Sequence, residues 1–88
     1  MEEQRLKAIR ERIDVIDGEL LRLVSERAAC ARDVAKIKDE NGTERHYYRP
    51  EREAEILRRI KAQNPGPLDD EEVARLFREI MSACLALE

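Results

Sequence analysis

An all-α fold of three helices, one very long, one short and one of medium length, is what this sequence predicts, and three observations carry it. Charged residues and hydrophobic residues each make up 42% of the 88 positions, with only three aromatics and three glycines. That is the composition of long amphipathic helices and not of a β-sandwich or a disordered tail. Apolar residues then recur at alternating steps of three and four along the first forty positions. Finally, stop signals at Asn41-Gly42 and at "PGP" (65–67) divide the chain into three segments.

The first helix is expected from about Glu3 to about Glu40. Glu2 and Glu3 suit its positive N-terminal end, and Lys36 and Lys38 suit the other. "TERHYY" (43–48) has no helical period and reads as a connecting loop. Pro50 suits the first turn of a second helix, "PEREAEILRRIKAQN", which the "PGP" ends. In "LDDEEV" the third helix has a full start signal: Asp69 caps, Glu72 closes the capping box, and Leu68 staples onto Val73. That helix carries Val73, Leu76, Phe77, Ile80, Cys84 and Leu87 on one broad apolar face. The pattern stops at Glu88 without a cap, so residues 1–88 are expected to be one domain cut from a longer polypeptide, the alternative being a natural terminus that frays.

Composition also excludes partners. Net charge is −3 with basic residues interspersed among acids, unlike a nucleic-acid binder with its uncompensated basic face. No apolar run reaches membrane-span length and the N-terminus is charged, which predicts a cytoplasmic protein. Cys30 and Cys84 fall at core-type helix positions and read as small apolar packers in a reducing compartment. With His46 alone in a loop they make no zinc site, so no metal is expected.

Length predicts a second copy. A helix of this size spans roughly 55 Å, whereas a compact domain of this length has a radius of gyration near ~12 Å. Two shorter helices cannot cover both ends of such a rod, and a homodimer is the simplest cover for its seam.

The seam itself holds an anomaly. Leu6, Ile9, Ile13, Ile16, Leu20, Leu23, Arg27, Cys30, Val34 and Ile37 are apolar at nine of ten positions, and the exception is an arginine. Arg27 is either a polar register device or a group that faces an anion, because a buried guanidinium without a partner is costly. Lys38 lies about three turns on, ~16 Å away and near the same face. Arg10 precedes Arg27 by seventeen residues, roughly 25 Å, and reaches a shared small ligand only from an antiparallel partner helix. In the second helix Arg52 and Glu53 sit one turn before the apolar face of Ile56, Leu57 and Ile60. Glu88 follows Cys84 by four and continues its stripe. No Ser-His or Cys-His pair, Gly-rich phosphate loop or dinucleotide fingerprint is present. What remains is a cationic pocket with two carboxyl groups and no cofactor. It suits a compact polyanion, or a reaction in which positioning and electrostatics suffice.

"LRLVSERAACARDVAKIK", "YYRPEREAEIL" and "VARLFREIMSACLALE", in this order and spacing, resemble the all-helical class of chorismate mutase. The resemblance is greatest to the N-terminal mutase domain of the bacterial bifunctional chorismate mutase–prephenate dehydratases. It runs from about Leu6 to Glu88 and implies an intertwined homodimer with sites built from both chains. It further implies conversion of chorismate to prephenate by a cofactor-free Claisen rearrangement in phenylalanine and tyrosine biosynthesis. Carried onto this chain, Arg27 and the second chain's Arg10 would clamp the substrate carboxylates. Lys38 would bond the ether oxygen, Glu53 would hold the ring hydroxyl and Arg52 would support that wall. Three positions depart from the family pattern: Arg49 stands where Asp is frequent, Cys84 where some members have Ser, and Glu88 where some have Gln. Substrate contacts would fall at these three as well, with Glu88 catalytic only when protonated. The alternative reading is a non-catalytic helical dimerisation or anion-sensing module of a larger protein.

Overall fold

The computed structural model describes residues 1–40 and 50–88. The Asn41-Gly42 stop, the 43–48 connector with His46, and Arg49 lie outside the described residues. Three helices account for nearly all of the rest: α1 (Glu2–Glu40), α2 (Pro50–Gln63) and α3 (Asp70–Leu85). No strand occurs among the described residues.

Helix α1 runs unbroken for 39 residues, with Glu2 and Glu3 at its positive end and Lys38 in its last turn. Its polar side is held by local pairs. Arg22 reaches Glu19 at 2.8 Å and Glu26 at 2.9 Å, and Lys7 approaches Glu11 at 3.9 Å. Such exposed pairs contribute at most ~0.5 kcal/mol each. They keep the helix regular but bury nothing, so its lasting stability must come from its apolar face.

Pro50 occupies the first position of α2, where a missing N–H costs nothing. Between α2 and α3 the chain turns tightly around Asn64. Its side-chain amide donates to the Leu68 carbonyl (2.8 Å) and to Asp70 Oδ1 (2.9 Å), while its Oδ1 accepts from the Gly66 N–H (3.1 Å). Gly66 has φ +75°, a conformation costly for any residue with a Cβ. Lys61 and Glu71 close the hairpin at 3.1 Å. Asp69 is the N-cap of α3, in extended geometry, and accepts the Glu72 N–H at 2.8 Å. The expected capping box forms in this half only, because the Glu72 carboxylate pairs with Arg75 one turn on.

Helix α3 packs on both α1 and α2. The fully covered residues are few and mostly small: Ala31 and Ala35 of α1, Ile56 of α2, and Ala74 and Cys84 of α3. Small side chains let the helix backbones approach closely. Two apolar positions expected on the inner face of α3 differ: Leu76 is 50% exposed and Leu87 37%. Cys84 is buried and Val73, Phe77 and Ile80 are half-buried as expected, while Ala74, at 0%, is covered as well, so the buried face extends toward Ala74 and leaves out Leu76 and Leu87. The helix also ends earlier than its pattern suggests. After Leu85 the Leu87 and Glu88 N–H groups donate to the carbonyls of Cys84 (2.9 Å) and Leu85 (3.1 Å), a tightening to i→i+3 bonds.

The whole is elongated, 62 × 23 × 16 Å, with a radius of gyration of 17.1 Å. A compact chain of this length has about 12 Å. The N-terminal half of α1 projects, and its stripe Leu6, Ile9, Ile13, Ile16, Leu20 and Leu23 is 44–57% exposed. No described helix is long and apolar enough to cross a membrane.

Removal of the α3 cap tests this account of the hairpin. Asp69→Ala leaves the Glu72 N–H without its acceptor and is expected to destabilise by ~1 kcal/mol. Urea unfolding at fixed protein concentration should show a lower midpoint with an unchanged slope.

Candidate active site

Where α3 crosses the C-terminal half of α1 and the start of α2, the three helices leave a cavity of about 570 Å³. Each wall is set by helical periodicity. From α1 come Arg27, Val34 and Lys38, spaced at seven and four along one face. Helix α2 supplies Arg52, Glu53 and, as the floor, the buried Ile56. From α3 come Arg78, Met81, Ser82 and Leu85, with Glu88 carried in by the tightened final turn.

The structure thus brings Arg27, Lys38, Arg52, Glu53 and Glu88 to one cavity. It does not bring Arg10 there, since that residue is exposed on the projecting half of α1. Cys84 is buried and lies off the cavity wall, whereas Ser82 is on it. Cys30, expected in the core, is exposed and lines the cavity, because it faces that open space while Ala31 beside it takes the helix contact. Arg78, Met81, Ser82 and Leu85 are not among the sequence candidates. Their signal is present in the 4-3-4 spacing of Ala74, Arg78, Met81 and Leu85, a second stripe beside the one chosen.

Charge dominates the wall. Arg27, Lys38, Arg52 and Arg78 stand against Glu53 and Glu88. Arg52 is held by its own helix, donating to Glu55 at 2.9 Å. Arg27 is half-buried and has no acid at the positions three or four away, which are Leu23, Val24, Cys30 and Ala31. It takes part in none of the ion pairs seen among the described residues. A guanidinium so placed brings its donors to the cavity wall with no ion pair to fix them, which is costly unless an anion arrives. Planar bidentate geometry makes a carboxylate the natural guest.

A cation-rich cavity with apolar backing, on an all-helical frame, has the chemistry to hold a small anionic molecule. Comparison with known proteins supplies the family: the model for chorismate mutase type II matches residues 9–88, and the chain belongs to that family. It is 59% identical over 90 residues, 99% of its length, to a bifunctional chorismate mutase/prephenate dehydratase of Pseudomonas aeruginosa. Identity is 57% over 90 residues, again 99% of the chain, to the protein of the same name from Stutzerimonas stutzeri. In each case the chain spans 25% of the relative's length. Among solved structures, a chorismate mutase of Thermus thermophilus (form II) superposes with a TM-score of 0.87 at 40% identity. That match covers 94% of this chain and 92% of the other.

Proposed function

We propose that the chain is a chorismate mutase domain, spanning residues 1–88 at the N-terminal end of a longer polypeptide. It converts chorismate to prephenate in the cytoplasmic synthesis of phenylalanine and tyrosine, without cofactor or metal. A following prephenate dehydratase domain, as the names of the two bifunctional relatives describe, belongs to the same reading. The observation that carries the function is Arg27, half-buried in an apolar seam and facing the cavity with no acid at helical spacing.

The rearrangement is unimolecular. It breaks one C–O bond and forms one C–C bond within a single molecule, so the site's work is to hold a reactive conformer and stabilise a polarised transition state. Arg27 grips one substrate carboxylate. Lys38 donates to the ether oxygen, on which negative charge develops as the C–O bond lengthens. Glu53 accepts the ring hydroxyl and Arg52 supports that wall. By the family resemblance Arg49 contacts the substrate as well, and Cys84 acts at the α3 side behind the cavity lining. Glu88, when protonated, is a second donor to the ether oxygen.

Arg10 reaches the same substrate from a second copy of the chain. The exposed stripe on α1 supports that arrangement, an intertwined homodimer in which the projecting half of α1 lies against its partner's. Covering six half-exposed Leu and Ile side chains contributes roughly 1 kcal/mol each, since full burial of such a residue is worth about 1.5–3 kcal/mol. Sedimentation should therefore show a dimer throughout the micromolar range. A folded, cooperative monomer there overturns both the dimer and the shared site.

Loss of chorismate absorbance in the presence of the purified protein tests the activity directly, and a non-catalytic module would bind without turnover. Arg27→Ala and Arg10→Ala should each lower kcat/KM by about a hundredfold or more, ~3 kcal/mol of transition-state stabilisation. Mixing the two inactive variants under subunit exchange should restore part of the activity. A heterodimer has one site lacking both arginines and one lacking neither. No recovery means that Arg10 does not act across chains.

Glu88 is open to a direct test. A carboxyl donates only when protonated, whereas Glu88→Gln supplies a permanent amide donor and should raise kcat/KM at neutral pH. An unchanged kcat/KM in that variant removes Glu88 from the chemistry.

A further inference from the structure

Arg78 is not absorbed by the roles above, and its setting repeats that of Arg27. It interrupts an otherwise small or apolar stripe of Ala74, Met81 and Leu85, as Arg27 interrupts the α1 seam. It lines the same cavity, from α3 where Arg27 lines it from α1. The positions three and four away are Ala74, Arg75, Met81 and Ser82, so no acid on its own helix can neutralise it. The neighbouring exposed arginines differ: Arg52 pairs with Glu55, Arg59 with Glu55 at 4.0 Å, and Arg75 with Glu72. Arg78 takes part in none of the ion pairs seen among the described residues. Ser82, one turn on and on the same wall, adds a hydroxyl donor beside it.

Resting on the mutase reading, we propose that Arg78 is a substrate-capture residue. Its guanidinium, with the Ser82 hydroxyl beside it, attracts and holds a carboxylate of the dianionic substrate at the exposed edge of the cavity. Two guanidiniums that line one cavity from α1 and α3 repel each other, and a dianion between them relieves both. Because Arg78 is exposed, its pull acts on approach and on binding. The substrate carboxylates keep their charge through the rearrangement, so a contact to one of them at the rim stabilises ground and transition states alike. Such uniform binding changes KM and leaves kcat in place.

Steady-state kinetics on Arg78→Gln and Arg78→Lys, measured across a range of ionic strength, tests this. The glutamine variant should raise KM for chorismate about tenfold, the scale of one charge-assisted hydrogen bond, with kcat within about twofold of wild type. The fall of kcat/KM with added salt should become shallower, and the lysine variant should recover most of the KM and the salt response. Unchanged KM and salt response in Arg78→Gln overturns the proposal, as does a loss confined to kcat. Wild-type protein that does not turn over chorismate overturns the mutase reading itself. An active wild type with an unmoved KM in the variant removes Arg78 alone.

Discussion

The constraint on which everything else depends is the mismatch between α1 and the rest of the chain. A 39-residue helix is about 58 Å long, while α2 and α3 together hold 30 residues in a hairpin that covers one end of it. The hairpin is fastened by local chemistry: the Asn64 bonds, the left-handed Gly66 and the Asp69 cap. It therefore arrives at α1 as a unit. Ala31 and Ala35 receive it where their small side chains allow α3 to come close, and the seam toward the N-terminus is left open. The same geometry produces the cavity. Three helices meeting at one end of a long rod diverge around it, and the long side chains at the crossing point line a space that the small core residues do not fill.

Much of this is legible in the sequence, for identifiable reasons. Helix limits are readable because each rests on local chemistry: Pro50 at a first turn, Asp69 with its backbone acceptor role, and the three-and-four spacing of α1. Arg27 is readable because a single polar residue in a long apolar seam is anomalous without any tertiary knowledge. The face of α3 is not. Two stripes run along that helix, one through Val73, Ile80, Cys84 and Leu87 and one through Ala74, Arg78, Met81 and Leu85. Hydropathy favours the first, and its Cys84 is buried, yet the most completely covered residue is Ala74 of the second, because packing against two neighbours selects small residues as readily as large ones. Cys30 departs from its expected burial for a related reason. Its seam position is apolar in kind, but burial depends on which side of α1 the hairpin covers, and Cys30 faces the cavity while Ala31 beside it takes the contact.

Glu88 lines the cavity although the helix that carries its stripe stops at Leu85. Ala86 keeps right-handed helical angles, φ −62° and ψ −19°, and the i→i+3 bonds of the last turn hold the chain close to its helical course. A stripe read four residues on from Cys84 therefore still describes the direction of the chain one turn past the helix end.

The balance of charge in the site also bears on how far composition can be trusted. Over the whole chain acids exceed bases and the net charge is −3, which argues against binding large polyanions. Around the cavity the sign reverses, with four basic residues against two acidic ones. Screening reduces the influence of charges beyond roughly 8–10 Å, so a small anion in the cavity responds mainly to that local set and little to the acidic surface elsewhere. Pairing sharpens the contrast further. Arg52 is partly neutralised by Glu55 and acts as a fixed wall, whereas Arg27 and Arg78 have no acid three or four residues away, where a helical ion pair would form. Each keeps its charge available at the cavity, from α1 and from α3. Net charge describes how a protein meets a polymer or a surface; the spacing of acids around individual arginines describes where it meets a small molecule.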